Sequence, residues 1–282
     1  GGADGDLARS RVRCALESMR QFQSACALTD LYAAGAEGAE QGLLDFCDAL
    51  LQSARGLDPA ARSEQRDATL DVFAAILAEV DPVPDALVEL ILVSLLPSAR
   101  KHAPAVHGLA QAVVRRSHDA LTRPVAAWLN GCLSLTPTDG VVSPDAKDES
   151  AKKKKRRRRS AEDDEDEDED DEDDDRLARV DARTLAASDA GQHAYPLVFE
   201  VHLAEPRMLL YTLPKVAERL GADDAATREA TLTLLGRLFA SPKEDYAAKY
   251  PRVWEAWLQR FTDKAPEVRT AMVRVALKVA AS

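Results

Sequence analysis

Apolar side chains recur along most of the chain at the spacing of one face of an α-helix. Positions i, i+3, i+4 and i+7 are repeatedly apolar, and no segment keeps the apolar–polar alternation that a half-buried strand would need. The helix faces in the first half of the chain are Val12, Ala15, Leu16 and Met19; Leu43, Cys47, Leu50 and Leu51; Phe73, Ile76, Leu77 and Val80; Leu87, Leu90, Ile91 and Leu95; Val106, Leu109, Ala110 and Val113; and Leu121, Val125, Trp128 and Leu129. This pattern predicts an all-α fold.

Breaks between these faces contain glycine or proline. Residues 56–59 read Gly-Leu-Asp-Pro and separate two helices. Residues 81–84 read Asp-Pro-Val-Pro, which closes one helix and opens the next, because proline is tolerated in a first helical turn and aspartate can cap it. The following helix is expected to stop at Leu96-Pro97.

Residues 137–190 have a different composition from the rest of the chain. They contain eight consecutive basic residues (152–159), fourteen consecutive acidic ones (162–175) and almost no large apolar side chains. Such a segment cannot bury enough surface to offset the cost of ordering it, roughly 1–2 kcal/mol per residue. We therefore expect N-terminal helical repeats over 7–136, a disordered charged linker over 137–190, and C-terminal repeats over 194–282.

The last hundred residues contain an internal repeat. Arg228-Glu229-Ala230 and Arg269-Thr270-Ala271 are 41 residues apart, and each sits early in a helical pattern that follows an aspartate-containing turn. A two-helix unit that recurs near 40 residues, with aspartate in the turn and arginine just inside the second helix, is the signature of HEAT repeats. The sequence thus predicts a HEAT-repeat α-solenoid of stacked antiparallel helix pairs, interrupted by the charged insertion.

Six residues are predicted to have structural roles in these repeats. Arg228 and Arg269 are expected to bond to the turn aspartate of their own or the adjacent repeat. Pro214 is expected to kink a first helix, where an isolated helix would break at a cost of roughly 3 kcal/mol. The six residues are Pro214, Asp224, Arg228, Pro251, Asp263 and Arg269.

Three stretches of the chain stand out by their order and spacing, although each alone is a generic HEAT match. They are residues 83–101, from Val-Pro-Asp-Ala-Leu to Leu-Leu-Pro-Ser-Ala-Arg-Lys; residues 109–133, from Leu-Ala-Gln-Ala-Val-Val-Arg-Arg-Ser onwards; and residues 197–263, which include Met-Leu-Leu-Tyr-Thr-Leu-Pro at 208–214. In this order they resemble the precocious-dissociation-of-sisters family, the HEAT-repeat regulators of the cohesin ring.

The resemblance implies a non-enzymatic regulator of sister chromatid cohesion. It would bind the ring's kleisin subunit and the Wings-apart-like release factor through peptide motifs laid on helix-pair surfaces. Family members are far longer than 282 residues, so we expect an N-terminal fragment or a truncated gene model. The charged tract sits where the family usually has a short connection, so we expect it to be a lineage insertion.

Composition excludes several other classes. No run of about 18 apolar residues could form a membrane span, and the N-terminal residues lack a secretory signal pattern. The four cysteines (Cys14, Cys26, Cys47 and Cys132) have no C-x-x-C pair, which indicates reduced, buried thiols in an intracellular protein. Ser117, His118 and Asp119 are contiguous on a helix, so their side chains diverge and cannot form a relay. The histidines show no zinc spacing, and we expect no metal, cofactor or enzymatic activity.

The basic octet is the strongest short motif. It consists of Lys152, Lys153, Lys154, Lys155, Arg156, Arg157, Arg158 and Arg159. It suits the groove of an import receptor such as importin, and hence a chromatin-associated nuclear protein. It would equally suit a nucleic-acid backbone, although we expect no direct nucleic-acid binding, and it could pair with the neighbouring acidic run. The octet and the acidic run contribute −6 of the net charge of −11.

Four further cations are candidates for docking a peptide or a polyanion. They are Arg100, Lys101, Arg115 and Arg116. Arg100 and Lys101 follow a predicted helix end, so part of their role could be favourable interaction with the helix dipole. Two other readings of the whole chain stay open: a generic HEAT-repeat nuclear adaptor or scaffold, and a histone-binding factor that acts through its acidic tract.

Overall fold

Every regular element is helical in the computed structural model, which describes residues 3–56, 62–135 and 182–281. The α-helices are α1 (Ala3–Ala33), α2 (Ala39–Ser53), α3 (Arg62–Glu79), α4 (Asp85–Val93), α5 (Pro97–His102), α6 (Pro104–Arg116), α7 (His118–Leu135), α8 (Ala182–Ala204), α9 (Leu213–Glu218), α10 (Ala225–Phe239), α11 (Tyr246–Lys249), α12 (Pro251–Leu258) and α13 (Pro266–Ala280). Short 3₁₀ helices span Ala54–Gly56, Pro206–Tyr211, Arg219–Gly221 and Gln259–Thr262. The predicted all-α class is confirmed for these residues.

The described residues form two compact units. The first contains those within 1–132 and 196–213, and the second contains those within 133–195 and 214–282. Helix α8 begins at Ala182, so the structure is already helical over 182–190, which had been expected to belong to the linker. The alanine-rich sequence from Ala182 to Ala190 favours a helix and explains the earlier start. The remainder of the expected linker up to residue 181 lies outside the described residues.

In the first unit, α1 packs on α2 and α3, while α6 packs on α2 and α3. The helix faces predicted from α2 to α7 form its core, where Leu43, Phe73, Ile91 and Leu129 are fully buried. Burial of one such side chain contributes about 1.5–3 kcal/mol. The first half of α1 differs, because Val12, Leu16 and Met19 are exposed even though they share one helix face.

In the second unit, α10 lies against α13 at very close range. Gly236 makes this possible: a Cβ atom at that position would lie 2.0 Å from Cγ1 of Val275. Trp257 is buried beside this contact and donates a hydrogen bond from Nε1 to the Leu232 carbonyl at 2.9 Å. Phe239 meets the stacked rings of Trp254 and Trp257 edge-on, so these aromatics pack between helices.

Proline and aspartate set the starts of the C-terminal helices. The carboxylate of Asp224 accepts a hydrogen bond from the Thr227 backbone N–H at 2.6 Å and caps α10. Pro251 is the first residue of α12, and Pro214 is the second residue of α9. The expected kink at Pro214 is therefore corrected: the residue begins a helix, at a position whose N–H would have no intrahelical partner anyway.

The described cysteines are free thiols. Cys47 and Cys132 are buried, and burial raises the pKa of these thiols to about 12 and about 11. Cys26 is exposed on α1, which corrects the expectation that it is buried. Within the described parts of the chain, no helix has the length and apolarity that a membrane crossing requires.

Candidate docking surface on helices α5 and α6

The four cations predicted to dock a ligand lie along helices α5 and α6 of the first unit. We refer to Arg100, Lys101, Arg115 and Arg116 as the basic strip. Arg100 and Lys101 are in the last turn of α5, and Arg115 and Arg116 end α6. The strip thus comprises the last turns of two successive helices.

Arg100 is bound to a buried carboxylate. Its Nη2 atom donates a short hydrogen bond to Oε2 of Glu200 in α8, whose side chain is only 4% exposed. The Nε2 atom of His107 lies 3.6 Å from the same oxygen and is itself buried. Burial lowers the pKa of His107; Glu200 opposes this shift and Arg100 adds to it. His107 is thus neutral near pH 7, and Arg100 carries the balancing charge.

The other three cations have weaker hydrogen bonds and ion pairs within the protein, or none among the described residues. Arg115 donates from Nε to the Ala204 carbonyl at 3.3 Å, near the end of α8. Arg116 donates to Asp71 of α3 at 2.7 Å, but both side chains are about 60% exposed, and such pairs contribute little. Lys101 is exposed and has no polar partner among the described residues.

Arginines of the second unit bind backbone carbonyls and a buried aspartate. Arg228 of α10 donates from Nη1 to the carbonyls of Ala222 and Asp223 at 2.7 and 2.8 Å. Its Nε and Nη2 atoms donate to the carboxylate of Asp263 at 3.0 and 2.8 Å. Arg269 of α13 repeats the first half of this pattern: its Nη1 donates to the carbonyls of Asp263 and Lys264 at 2.7 and 3.3 Å.

Asp263 also accepts hydrogen bonds from two other donors. Arg260 donates to it at 3.0 Å, and so does the Ala265 backbone N–H at 2.9 Å. Burial alone would raise the pKa of Asp263, but the hydrogen bonds from Arg228 and Ala265 and the nearby cations hold it below its usual value. Asp263 is therefore ionised when buried, and it joins the turn before α13 to α10.

A further arginine holds the residues that flank the charged tract. Arg219 donates from Nε to the Tyr195 hydroxyl at 2.9 Å and from Nη1, through a short contact, to the Leu133 carbonyl. Tyr195 in turn shares a 2.8 Å hydrogen bond with Thr231 of α10. The basic octet of residues 152–159 lies between these anchors in sequence but outside the described residues.

Comparison with known proteins identifies the family of this helical chain. The family model described as sister chromatid cohesion protein PDS5 matches residues 11–282. The chain belongs to the PDS5 family of sister chromatid cohesion proteins.

Curated relatives support this PDS5 membership. Homolog A from Gallus gallus is 23% identical over 207 residues, which cover 73% of this chain and 12% of the relative. Homolog B from Homo sapiens is 21% identical over 207 residues, covering 73% of this chain and 11% of the relative. The chain thus spans about an eighth of the length of these relatives.

A solved structure shares the fold. A chain of the Pds5–Scc1 complex matches with a TM-score of 0.59 at 12% identity, covering 92% of this chain and 33% of that one. This match supports the predicted HEAT-repeat fold. The resemblance inferred from residues 83–101, 109–133 and 197–263 is confirmed.

Sequence reasoning missed two residues of the docking surface. Glu200 and His107 make Arg100 part of a buried cluster, yet Glu200 is 100 residues from Arg100 in the chain. The only signal for Glu200 was a carboxylate within the apolar run Leu197 to Val201. A charge in such a run calls for a buried partner, which the sequence alone does not identify.

Proposed function

We propose that this chain acts as a non-enzymatic regulator of the cohesin ring in sister chromatid cohesion, and that it binds partner segments on its helix-pair surfaces. The family match over residues 11–282 carries the proposal. The solved relative is in complex with Scc1, the kleisin subunit, so kleisin is the first partner proposed. The Wings-apart-like release factor is the second. Binding of these partners would bias the ring between locked and released states without bond chemistry in this protein.

The basic strip is the surface we propose for an acidic peptide segment. Lys101 and Arg116 would contact the ligand, because Lys101 has no described partner and the exposed Arg116–Asp71 pair can be exchanged at small cost. Arg100 would stay on Glu200, since its withdrawal would leave a buried carboxylate unpaired.

We also propose that the protein works in the nucleus on chromatin. The basic octet would bind importin, and contact with chromatin would pass through protein partners and not directly through nucleic acid. The net charge supports contact through protein partners, because the chain outside the octet and the acidic run carries about −5 and would not attract a nucleic-acid backbone. Fusion of residues 144–175 to a fluorescent cargo should direct the cargo to the nucleus, and replacement of all eight basic residues with glutamine should abolish the effect.

The partner proposal can be tested with residues 1–282 as bait in nuclear extract. Circular dichroism of the bait should first show a helical, cooperatively melting protein. Retention of kleisin and the release factor supports the proposal, and a heat-unfolded bait serves as the control. If a folded bait retains no cohesin subunit, the partner proposal is wrong for this chain.

The strip can be tested with purified components. A fluorescent peptide from an acidic kleisin segment is titrated with the wild type, with Lys101→Gln/Arg116→Gln, and with Arg123→Gln as a control. Arg123 is exposed on α7 and lies outside the strip. The double variant should bind roughly tenfold more weakly and with a smaller salt dependence. Equal binding by all three proteins would exclude the strip.

Two alternatives predict other results. A generic HEAT adaptor would retain nuclear proteins but no cohesin subunit. A histone-binding factor would depend on its acidic run, so deletion of residues 144–175 would abolish its binding to basic histone tails. The cohesin proposal predicts that the same deletion leaves kleisin binding intact.

A further inference from the structure

The basic strip keeps charged groups that no residue of the described structure neutralises. Lys101 has no polar partner there. Arg115 uses its Nε atom for the 3.3 Å hydrogen bond to the Ala204 carbonyl, and its two Nη atoms have no acceptor in the described parts of the chain. Arg116 pairs with Asp71, which is itself exposed. The strip can therefore accept a further anionic group.

Charge elsewhere in the first unit directs an anionic segment towards the strip. Outside the strip, the described residues of this unit contain more acidic than basic side chains. The acidic ones include Glu40 of α2 and Glu64 and Asp67 of α3, all of which are exposed. Because like charges repel, an acidic segment is attracted to the strip and repelled by these other helices.

The acidic run is an anionic segment that the chain itself supplies. Its fourteen consecutive carboxylates, residues 162–175, lie outside the described residues. The octet of residues 152–159 could neutralise at most eight of them, so at least six carboxylates would remain. Pairing with the octet therefore does not exhaust the charge of the run.

The chain between the strip and the run is long enough to bring them together. Arg116 lies two residues before α7, an 18-residue helix that spans at most about 27 Å. The chain from the end of α7 to residue 162 can extend up to about 90 Å. On the other side, α8 rises at most about 27 Å from Ala182 to Glu200, and the chain from the middle of the run to Ala182 can extend up to about 46 Å. Attachment to the same chain makes the contact intramolecular and raises the effective concentration of the run near the strip.

We propose that the acidic run occupies the basic strip of the same chain until an acidic partner segment displaces it. The run contacts Lys101, Arg115 and Arg116, while Arg100 stays paired with the buried Glu200. A partner segment then competes with an intramolecular anion, so the run weakens the binding of every acidic segment that matches the strip poorly. This regulatory role rests on the proposed docking of an acidic peptide at the strip.

Zero-length cross-linking tests the contact in the absence of any partner peptide. A carbodiimide joins the Nζ atom of a lysine to a carboxylate that it contacts, and Lys101 is the one lysine among the described residues of the first unit. Mass spectrometry of the 282-residue chain should find Lys101 joined to the run at low salt, with less of this product at high salt. The exposed Lys264 and Lys278 of the second unit are internal controls. If they join the run as often as Lys101 does, or if the run joins only the octet lysines, the proposal is wrong.

A mixture of ¹⁵N-labelled and unlabelled protein shows whether the contact lies within one chain. The two peptides of the Lys101 product should carry the same label. Products of mixed label at the frequency of random pairing would mean that the run contacts another copy, and the intramolecular proposal would be overturned.

Binding of the acidic kleisin peptide tests the competition. In the neutral-run variant, every Asp and Glu of residues 162–175 is replaced by Asn or Gln, which preserves the length of the segment. The peptide should bind this variant roughly fivefold more tightly than the wild type at low salt. The gain should be much smaller when Lys101→Gln/Arg116→Gln is also present, because the strip then holds the run weakly. General repulsion between run and peptide would give the same gain in both backgrounds, so equal gains, or none, would overturn the proposal.

The two measurements separate this proposal from the proposed docking function. If Lys101→Gln/Arg116→Gln weakens binding in the neutral-run variant but neutralisation itself has no effect, the strip docks the peptide and the run does not compete. If the double substitution has no effect in either background, the docking function and the regulatory role are both wrong. The Lys101 cross-link then decides whether the run occupies the strip.

Discussion

Arg228 and Asp263 are 35 residues apart in sequence, yet they form a two-pronged ion pair whose side chains are 3% and 1% exposed. The pair connects α10 to the turn before α13. The surrounding charges and hydrogen bonds raise the pKa of Arg228 and lower that of Asp263, with the mutual hydrogen bonds as a principal cause in each case. Both groups are therefore charged, and the interface between the two helices depends on their remaining paired.

Loss of one partner should destabilise the second unit strongly. In Asp263→Asn, Arg228 keeps its buried charge without a counter-ion, which typically costs about 3–5 kcal/mol. Urea unfolding of the 282-residue chain measures the change, with the exposed Asp223→Asn as the matched control. If Asp263→Asn loses no more stability than the control, the pair is not holding these helices together. The double variant Arg228→Met/Asp263→Leu should recover part of the loss, because it leaves no unpaired charge.

Low pH should remove the contribution of the Asp263 carboxylate to the free energy of unfolding. The pKa of Asp263 is lower in the folded protein than its unfolded value of about 3.9, so its contribution to stability is complete above that value. The contribution decreases as the pH falls below about 4 towards the folded pKa. The difference in unfolding free energy between wild type and Asp263→Asn should therefore shrink between pH 5 and pH 3. A constant difference over this range would contradict the assignment of the low pKa to Asp263.

Gly236 should not accept a larger residue. Alanine normally stabilises a helix relative to glycine by about 1 kcal/mol, but here its Cβ would lie 2.0 Å from Val275. Overpacking of this kind costs about 1–3 kcal/mol, so Gly236→Ala should lower the free energy of unfolding. Gly131→Ala in α7 is the control, because nothing lies within 4 Å of its added Cβ, and it should raise stability. Val275→Ala should relieve part of the defect of Gly236→Ala; an additive loss would contradict the clash.

The sequence predicted most of the architecture because each signal was local. Helix faces depend on spacing within a few residues, and the 41-residue recurrence of Arg228 and Arg269 reveals a repeat. The contact between Arg228 and the aspartate of the adjacent repeat was likewise among the expected arrangements. Such features need no knowledge of which distant segments meet.

The features missed by the sequence depend on distant or missing neighbours. The pairing of Arg100 with Glu200 spans a hundred residues and the charged tract, so no periodicity could identify it. A kink at Pro214 was predicted because the sequence does not reveal that α9 begins at Leu213. The exposed stripe Val12, Leu16 and Met19 looks the same in sequence as a buried one, since spacing identifies a face but not what covers it.

The Arg100–Glu200–His107 cluster should make the destabilisation caused by an Arg100 substitution depend on pH. In the wild type, Arg100 neutralises Glu200, and burial together with the Arg100 cation lowers the pKa of His107. Arg100→Gln leaves Glu200 buried without a cation, so the pKa of His107 should rise and the imidazolium should take the place of Arg100. A His with a raised folded pKa adds stability below its unfolded value of about 6.5 and loses it as the pH rises through the folded pKa.

Arg100→Gln should therefore be less destabilising at pH 5.5 than at pH 8, whereas Lys101→Gln should show no such trend. Urea unfolding at the two pH values measures the deficit, and the NMR titration of the His107 ring shows whether its pKa has risen. The double variant Glu200→Gln/Arg100→Gln tests whether the Glu200 carboxylate is the cause. Without that carboxylate, the pKa of His107 should not rise. If the deficit of Arg100→Gln is the same at both pH values, His107 does not exchange roles with Arg100.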